Sequence, residues 1–552
     1  MAAVTVSKWG PSNAVTVNLI LVKDNASCNG DGIIGNDVHG GERSDDGYAM
    51  LSVVKVTELF AVLLVAIMMA VSLGSQYLHS LSFVIVTSLL VFVGAKSNVS
   101  APSQKSHQPG PTDYSRLMKL SLLFYETQRS GKLGPDNRIS WRGDSALGDH
   151  GDNGEDLSGG YYDAGDFVKF GFTMAWTTTI LAWGGLSWPE AYKSAGQLDI
   201  LRSTVKWATD YFIKCHTNEY ELYGQVGDFG IDHTFWGRPE DLNTSRPAYK
   251  IDAKHPGSDL AGETSAALSA ASLLFRPVDE AYADNLLVHA RQLYHFASEH
   301  RGLYHEAIKG AAQYYESTGY GDELAWAAAW LHRASNQSRY FDEAEHHYRH
   351  FYLRDRPNEF FYNRKVAGIQ VLLAHLTDKE EYRNASRSFC DFSTREQKRT
   401  PKGLVYIEKS GTLCHAANIA FVCLQAAEQG NIGNSREYRR FARQQIDYML
   451  GANTGQSFVV GWGNEYPRQP YHAASSCPDK PQTCGWPDFT RDAANPQLLL
   501  GALVSGPDEN DNFRDKRDEF LYTEVTLDCN AGFTGALAAL LQLHLDQETQ
   551  PS

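Results

Sequence analysis

The chain of 552 residues has no excess of basic residues and no Cys-x-x-Cys pair. Its 65 Asp and Glu outnumber its 50 Lys and Arg, so the formal net charge is -15. A nucleic-acid-binding protein needs a basic face to displace counterions from phosphates, and the composition argues against that class. The eight cysteines do not have the spacing of a zinc finger. A neutral ligand such as a sugar polymer is compatible with this charge.

Two local features concern disulfide formation and glycosylation, and use of the second depends on entry into the secretory pathway. Cys477 and Cys484 bracket the short segment CPDKPQTC, which predicts a loop closed by a disulfide; two free thiols in a loop are the alternative. Asn-x-Ser/Thr sequons, the acceptor pattern for N-glycosylation, are also present. They occur at Asn25, Asn98, Asn243, Asn336 and Asn384.

The N-terminal extension, residues 1–95, differs from the rest of the chain. Residues 59–95 contain no Asp, Glu, Lys or Arg. One interpretation is a signal peptide with its apolar centre at 81–93 and cleavage after Ala95, which predicts a secreted protein. The alternative is that the run is retained as a membrane anchor or hairpin. Residues 96–112 are a Ser/Pro/Gln linker without apolar periodicity.

A globular domain is predicted from 113 to 545, followed by a tail at 546–552. Apolar residues recur at helical spacing in most of it, as in 198–213 and in 435–450, where Ser435 can cap the start and Gly451 can end the helix. Similar stretches lie near 114–129, 260–275, 280–298, 322–334, 339–352, 365–376, 379–393, 413–429 and 529–545. Strand-like alternation is brief, with 457–461 the best case. This pattern predicts an all-α domain, either paired helices wound into a ring or an α-solenoid.

The first chemically suggestive segment is DLSGGYYDAGDFVKFGF, residues 156–172. Asp163 and Asp166 lie three residues apart between glycines that permit tight turns. Two carboxylates so placed can share a water and make one of them a general base. The alternative is that they are helix caps or solvated turn residues.

The second segment is FRDKRDEFLYTEVTLDCNAGF, residues 513–533. It places Asp515, Glu519, Glu524 and Asp528 before an apolar helix. Glu524 stands among Tyr522, Thr523 and Val525, and this less charged setting can raise its pKa toward use as a general acid. An ordinary acidic helix N-terminus is the alternative.

These segments resemble glycoside hydrolase family 9, which includes endo-β-1,4-glucanases of bacteria, plants and animals. Phe513, Asp515, Phe520, Glu524, Thr526, Asn530 and Ala531 are similar to its C-terminal active-site signature. Further similar segments are SLLFYETQRSGKL, WRGDSAL, GGYYDAGDFVKFGF, QVGD, DHTFWGRPED, PGSDLAGETSAAL, GYGDELAWAAAWL, HAANIAF and DYMLGANTGQSFVVGWG. The resemblance spans 113–545 and implies an (α/α)6 barrel, in agreement with the helical periodicity.

The resemblance also implies inverting hydrolysis of β-1,4-glucosidic bonds. Asp166 matches the general base that activates the water, Asp163 the carboxylate that helps hold it, and Glu524 the general acid. Asp515, in the same signature, is included among the predicted catalytic residues. Inversion needs a water between base and sugar, so acid and base are expected about 6.5–9.5 Å apart.

Predicted substrate contacts include both matches to the family pattern and departures from it. His233 and Trp236 match a glucan-contacting pair. Where the family usually has His-His-Arg, this chain has Tyr471, His472 and Ala473. Where it often has Trp-Gly-Ser-Leu-Arg, residues 410–414 read Ser-Gly-Thr-Leu-Cys.

The sequence therefore predicts a monomeric, secreted endoglucanase acting on cellulose or a related β-glucan, without a required catalytic cofactor. Because the altered residues concern sugar holding, the alternative is a family member that binds glucan without efficient turnover. A third interpretation keeps the activity with a changed substrate.

A structural calcium site is partly matched. Thr318, Gly319, Asp322 and Glu323 resemble family ligands, and oxygen donors in a tight turn suit a hard cation. Asn363 stands where the family has a further Asp, and Arg364 beside it adds positive charge.

Overall fold

The computed structural model describes Ala2–Lys8, Val15–Leu21 and residues 112–549. The chain divides into two compact units, Met1–Gln108 and Pro109–Ser552. In the first unit, β1 (Ala2–Lys8) pairs antiparallel with β2 (Val15–Leu21), with Ala2 opposite Leu21 and Lys8 opposite Val15. The predicted apolar segment and residues 96–111 of the linker lie outside the described residues. No helix in the described part of the chain is long and apolar enough to span a membrane.

The second unit is built from twelve long helices within residues 112–549. They are α1 (Tyr114–Thr127), α2 (Gly171–Ser187), α3 (Leu198–Cys215), α4 (Ser258–Phe275), α5 (Glu280–Glu299), α6 (Gly321–Ser335), α7 (Ser338–His350), α8 (Val366–Leu376), α9 (Glu380–Arg395), α10 (Thr412–Glu428), α11 (Ser435–Met449) and α12 (Leu527–Thr549). Short helices are Pro189–Ser194, Phe229–Asp232, Tyr304–Ala307, Ala473–Ser476, Trp486–Thr490 and Phe520–Thr523, with 3-10 turns at Pro239–Asp241 and Lys309–Gln313.

The even-numbered helices form an inner ring. Helices α2, α4, α6, α8, α10 and α12 pack each against the next, and α12 returns to pack against α2. The odd-numbered helices lie outside, each packed against inner neighbours. This closed ring of six hairpins is an (α/α)6 barrel, which confirms the ring and excludes the open solenoid.

Burial distinguishes the two rings. Inner helix α2 is buried on every side from Gly171 to Gly185, as expected of a helix surrounded by other helices. Outer helix α11 is amphipathic, burying Tyr438, Phe441 and Ile446 on one face. Its cap is Asn434, which accepts a hydrogen bond from the Glu437 amide, rather than Ser435.

The barrel interior is filled by indole rings. Trp183 packs edge-on against Trp326 and Trp330 with centroids 5.6 and 5.8 Å away, and against Phe421 at 5.5 Å. A Cβ added at Gly535 of α12 would lie 2.4 Å from the Phe421 ring, so glycine is needed for this close approach.

The described strands of the second unit form one small antiparallel sheet. β3 (Lys169–Phe170) pairs with β4 (Glu221–Val226), which pairs with β5 (Ala248–Asp252). The predicted strand at 457–461 is wrong: this segment has only an isolated bridge between Val459 and Leu503. Phe458, Val459 and Val460 are all buried, so their apolar character reflects loop packing rather than one face of a sheet.

Candidate active site

The loop before β3 holds the aspartate pair. The Asp163 amide donates to the Val168 carbonyl across 3.0 Å, which closes a tight turn around Asp166. The Leu527 amide at the start of α12 donates to the Asp163 carbonyl, also across 3.0 Å. These bonds fix the loop against the inner ring. Neither aspartate is a solvated turn residue, because Asp163 is buried and Asp166 is only 12% exposed.

The Asp163 carboxylate is held by two hydroxyls. Thr173 donates to Oδ1 at 2.5 Å, and Tyr315 donates to Oδ2. Burial, and to a smaller extent the Asp528 carboxylate, raise the pKa of Asp163 to about 7 against the effect of these two bonds. The group is therefore oriented and easily protonated near neutral pH.

Asp166 has fewer partners. Its Oδ1 accepts from the Val168 amide at 3.4 Å, and its Oδ2 lies 4.0 Å from Nε2 of His233. Burial raises its pKa well above the ordinary value, and the charges of Asp232, Asp163 and Glu524 raise it further. A carboxylate with few donors and a raised pKa is suited to accept a proton.

Glu524 lies just before α12, between the short helix Phe520–Thr523 and Leu527. Its backbone forms a parallel bridge with Tyr471, whose amide donates to the Thr523 carbonyl at 3.0 Å. Burial, followed by the charges of Asp163 and Asp528, raises the pKa of Glu524 to about 8. The side chain is therefore mostly protonated at neutral pH, as a general acid requires.

All three carboxylates line one cavity of about 460 Å³. Its wall also contains Ala164, Phe170, Phe229, Gln313, Tyr314, Tyr315, Phe361, Tyr362, Glu408, Ser410, Gly411, Cys414, Ser505, Phe520, Thr526, Asp528 and Cys529. The mixture of aromatic faces and polar groups suits a sugar, which offers both C–H faces and hydroxyls.

His233, predicted as a sugar contact, lies 4.0 Å from Asp166. Its ring stacks on Phe229 with centroids 3.5 Å apart, and its Nδ1 donates to the Phe229 carbonyl at 3.1 Å. Its Nε2 accepts from the Tyr471 hydroxyl at 3.2 Å. Burial lowers its pKa. Both His233 and Tyr471 therefore border the reacting carboxylates.

Two predicted sugar contacts are buried instead. Trp236 is only 5% exposed, and its Nε1 donates to the Ser476 hydroxyl at 2.8 Å. His472 is 2% exposed; its Nδ1 accepts from the Ser475 amide and its Nε2 bonds to Gln128 Oε1 at 2.8 Å. Burial lowers the pKa of His472 to about 3, so it is neutral. The prediction that these two rings face the ligand is wrong, because both support the loop beneath it.

Asp515 is not among the residues that line the cavity. Its two carboxylate oxygens accept from the backbone amides of Arg468 and Gln469 at 2.6 and 2.9 Å. A carboxylate so engaged holds the segment leading to Tyr471. The structure therefore gives Asp515 a positioning contact and places it outside the reacting group.

The departures at 410 and 414 change the cavity wall. Ser410 and Cys414 both line it, and Cys414 is joined by a disulfide to Cys529. The link connects the N-terminal ends of α10 and α12, where the family pattern would place an arginine. A second disulfide joins Cys390 to Cys423, and the predicted bridge between Cys477 and Cys484 is confirmed.

The predicted calcium ligands lie together at the start of α6. The Thr318 amide donates to Asn363 Oδ1 at 2.9 Å, and Asp322 Oδ2 accepts from the Lys365 amide at 2.8 Å. Glu323 is buried against Lys365 Nζ at 2.6 Å, while its Oε2 has no partner. The Gly319 carbonyl accepts a hydrogen bond from the Ser317 hydroxyl at 2.7 Å.

Sequence reasoning missed three groups at the site. Tyr315 contacts Asp163, Asp232 raises the pKa of Asp166, and Asp528 raises those of Asp163 and Glu524. Asp232 precedes His233 in the motif and Asp528 belongs to the acidic run, so both had a sequence signal. Tyr315 had none, since the fold brings it to Asp163 from 152 residues away.

Comparison with known proteins gives a consistent result. The family model described as glycosyl hydrolase family 9 matches residues 114–537. Endoglucanase 15 of Arabidopsis thaliana is 41% identical over 471 residues, covering 78% of this chain and 94% of the plant protein. The endoglucanase structure of the termite Nasutitermes takasagoensis, determined at pH 2.5, is 54% identical, with a TM-score of 0.77 and coverage of 78% and 99%. The cellulase Cel9M of C. cellulolyticum, solved with cellobiose, is 34% identical with a TM-score of 0.74, covering 79% and 100%.

Proposed function

The chain belongs to glycosyl hydrolase family 9, and on this premise we propose that it is an endo-β-1,4-glucanase that inverts the anomeric configuration. The observation that carries the proposal is the convergence of Asp163, Asp166 and Glu524 on one cavity, each with a raised pKa. A glucan-binding protein without turnover would have no need of a protonated and an ionisable carboxyl in the same cavity. The relatives named endoglucanases and the neighbour bound to cellobiose support a β-1,4-glucan as substrate.

The three carboxyl groups have different roles in the reaction. Asp166 accepts a proton from the attacking water, because its own oxygens have few competing donors. Asp163, fixed by Thr173 and Tyr315, orients that water. Glu524, protonated at neutral pH, donates a proton to the leaving oxygen as the glycosidic bond breaks. The proton balance is complete once Asp166 returns its proton to solvent and Glu524 takes one up from solvent.

Reducing-sugar release from carboxymethyl cellulose tests this assignment. Glu524→Gln and Asp166→Asn are expected to lower kcat by about 10²-fold or more, because each removes one proton transfer. Asp518→Asn, an exposed residue in the same segment, is the matched control. Proton NMR of cello-oligosaccharide hydrolysis should detect the α-anomer first. A parent chain no faster than Glu524→Gln, yet still binding cello-oligosaccharides, would contradict the proposal.

We also infer that the protein is secreted and glycosylated. Disulfides persist in oxidising compartments, and three are formed among the described residues. The sequon residues Asn243, Asn336 and Asn384 are all exposed. N-terminal sequencing of protein from culture medium tests this: a start near Lys96 supports a cleaved signal, and retention in membranes supports the anchor.

Calcium binding at the start of α6 is proposed from the donor set. The buried Glu323 Oε2 without a partner is a suitable ligand, and Arg364 is paired with Glu359 at 3.2 Å. Bound calcium would fix the turn before α6 to the loop that ends at Lys365. Millimolar calcium should raise the Tm of the parent and not that of Asp322→Ala. Equal responses would exclude this site.

A further inference from the structure

Asp166, Asp232 and His233 form a compact group, of which Asp166 lines the cavity. Each offers one ligand atom, and these three atoms all lie within 4.8 Å of one another. Asp232 and His233 come from the end of the short helix Phe229–Asp232, while Asp166 comes from the loop before β3. The Phe167 amide donates to Asp232 Oδ2 at 3.2 Å and thereby ties the two segments together.

We propose that this group binds a transition-metal dication, with Zn²⁺ as the reference ion, and that the bound ion inhibits hydrolysis. Imidazole nitrogen and carboxylate oxygen are ordinary zinc ligands, and three protein ligands leave a position open to water. The inhibitory consequence rests on the proposed function of Asp166, whereas the binding itself does not.

The hydrogen bonds of His233 match those of a metal ligand. A carbonyl can only accept, so the 3.1 Å contact with Phe229 places the ring proton on Nδ1. Nε2 therefore carries the ring's lone pair, and this atom lies 4.0 Å from Asp166 Oδ2. Metal-binding histidines commonly donate their other N–H to a backbone carbonyl in this way, which fixes the tautomer and the ring.

Asp232 supplies a second, independent observation. The residue is 4% exposed, and its Oδ1 has no hydrogen-bond partner. A buried carboxylate oxygen without a donor is costly, and a cation satisfies it. Arg246 does not do so, because its guanidinium is bound to Asp149 at 2.7 and 3.1 Å and to the Phe167 carbonyl.

The Tyr471 hydroxyl competes with a metal for His233, because it donates to Nε2 at 3.2 Å. This competition predicts a substitution that increases the affinity for the metal. Removing the hydroxyl frees the nitrogen, so Tyr471→Phe should bind Zn²⁺ more tightly. Metal bound to Asp166 would occupy the lone pair that the water proton needs, so inhibition would follow binding.

The test is calorimetric titration of the full chain with Zn²⁺, without substrate. Asp232→Asn and His233→Gln should weaken one site by about tenfold or more, while Tyr471→Phe should strengthen it. Asp232→Asn retains the acceptor for the Phe167 amide, and its fold can be checked by circular dichroism. His295→Gln is the control, since His295 lies in an exposed pair with Glu299 at 3.3 Å.

A second probe is the visible spectrum of added Co²⁺, which reports nitrogen and carboxylate ligation directly. The signal should disappear in His233→Gln and persist in Glu524→Gln, which is expected to be inactive. Titrations of Asp232→Asn and His233→Gln that match the parent would overturn the proposal, as would loss of the site in His295→Gln. Because binding is measured without turnover, a parent that lacks hydrolase activity would contradict only the proposed function.

Discussion

The hydroxyl of Tyr471 donates a hydrogen bond to Nε2 of His233 across 3.2 Å, and His233 in turn lies 4.0 Å from Asp166. The backbone around Tyr471 also bonds to the segment that carries Glu524 and to the segment that carries Asp166. Its amide bonds to Thr523, next to Glu524, and the Ala473 amide bonds to the Gly165 carbonyl at 2.8 Å. The residue that departs from the family pattern therefore connects the segment of the acid with the segment of the base.

Tyr471→Phe removes the hydroxyl and leaves the ring packing in place. A lost hydrogen bond of this kind is worth about 1 kcal/mol, so kcat/KM should fall about fivefold. Steady-state kinetics should place the change in kcat rather than KM if the pair orients Asp166. Tyr466→Phe, which loses a hydroxyl contact with Arg468, is the control. An unchanged kcat would show that the hydrogen bond between Tyr471 and His233 does not orient Asp166.

Gly165→Ala should disturb the same junction by steric overlap. An added Cβ would lie 2.3 Å from the Tyr471 carbonyl oxygen and 2.8 Å from its ring. We expect a loss of about 1–3 kcal/mol in stability and a larger fall in kcat than in binding. Urea unfolding and cellulose assays measure the two effects. Gly148→Ala is the comparison, because nothing lies within 4 Å of its added Cβ. Equal behaviour of the two variants would contradict the geometry.

The alkaline limb of the pH profile should depend on Asp528. Glu524 must be protonated to act, and its pKa of about 8 means that activity falls as the pH rises through that value. The Asp528 charge raises this pKa, so Asp528→Asn should move the limb to lower pH. Profiles of kcat for the parent, Asp528→Asn and the exposed Asp518→Asn measure the shift. A limb that moves upward or stays fixed would reject the role of Asp528.

Stability should also fall as the pH rises from about 4 to about 8. The folded-state pKa of Asp163 is about 7 and that of Glu524 about 8, both above their unfolded values. The native state therefore binds more protons than the unfolded state in this window, so raising the pH favours unfolding. Chemical denaturation at several pH values measures the slope, which Glu524→Gln should flatten. A slope of opposite sign, or one unchanged in that variant, would contradict the shifts.

The disulfides should contribute unequally to stability. Cys414 and Cys529 are 115 residues apart, whereas Cys477 and Cys484 are separated by 7. On the chain-entropy account, the longer loop is worth about 5 kcal/mol and the shorter about 2.5 kcal/mol. Urea midpoints of the two double Cys→Ala variants, read under non-reducing conditions, test the order. A larger loss from the short loop would oppose an entropic origin.

The helices were the most predictable part of the structure. The predicted stretch 198–213 lies within α3, Leu198–Cys215, and 435–450 is nearly identical with α11, Ser435–Met449. Their period of apolar residues follows directly from burial of one face. Closure of the ring depends on contacts between α12 and α2, which local periodicity does not contain.

Errors at the site arose where burial is decided at long range. Trp236 stands in a loop-like motif, yet it is covered by the segment around Ser476, 240 residues away. His472 likewise bonds to Gln128 across 344 residues of sequence. A motif identifies the residue type that a fold requires; which face of that residue meets solvent is set by the packing of distant loops.

The tryptophans of the barrel have a spectroscopic consequence. Among the described residues, Trp176, Trp183, Trp188, Trp326 and Trp330 are fully buried, while Trp486 is 44% exposed. Buried indoles emit at shorter wavelength and are shielded from soluble quenchers such as acrylamide. The quencher-resistant part of the fluorescence therefore reports on the packing of these buried indoles, four of which lie in the inner helices α2 and α6, and a red shift of that part marks loss of this packing.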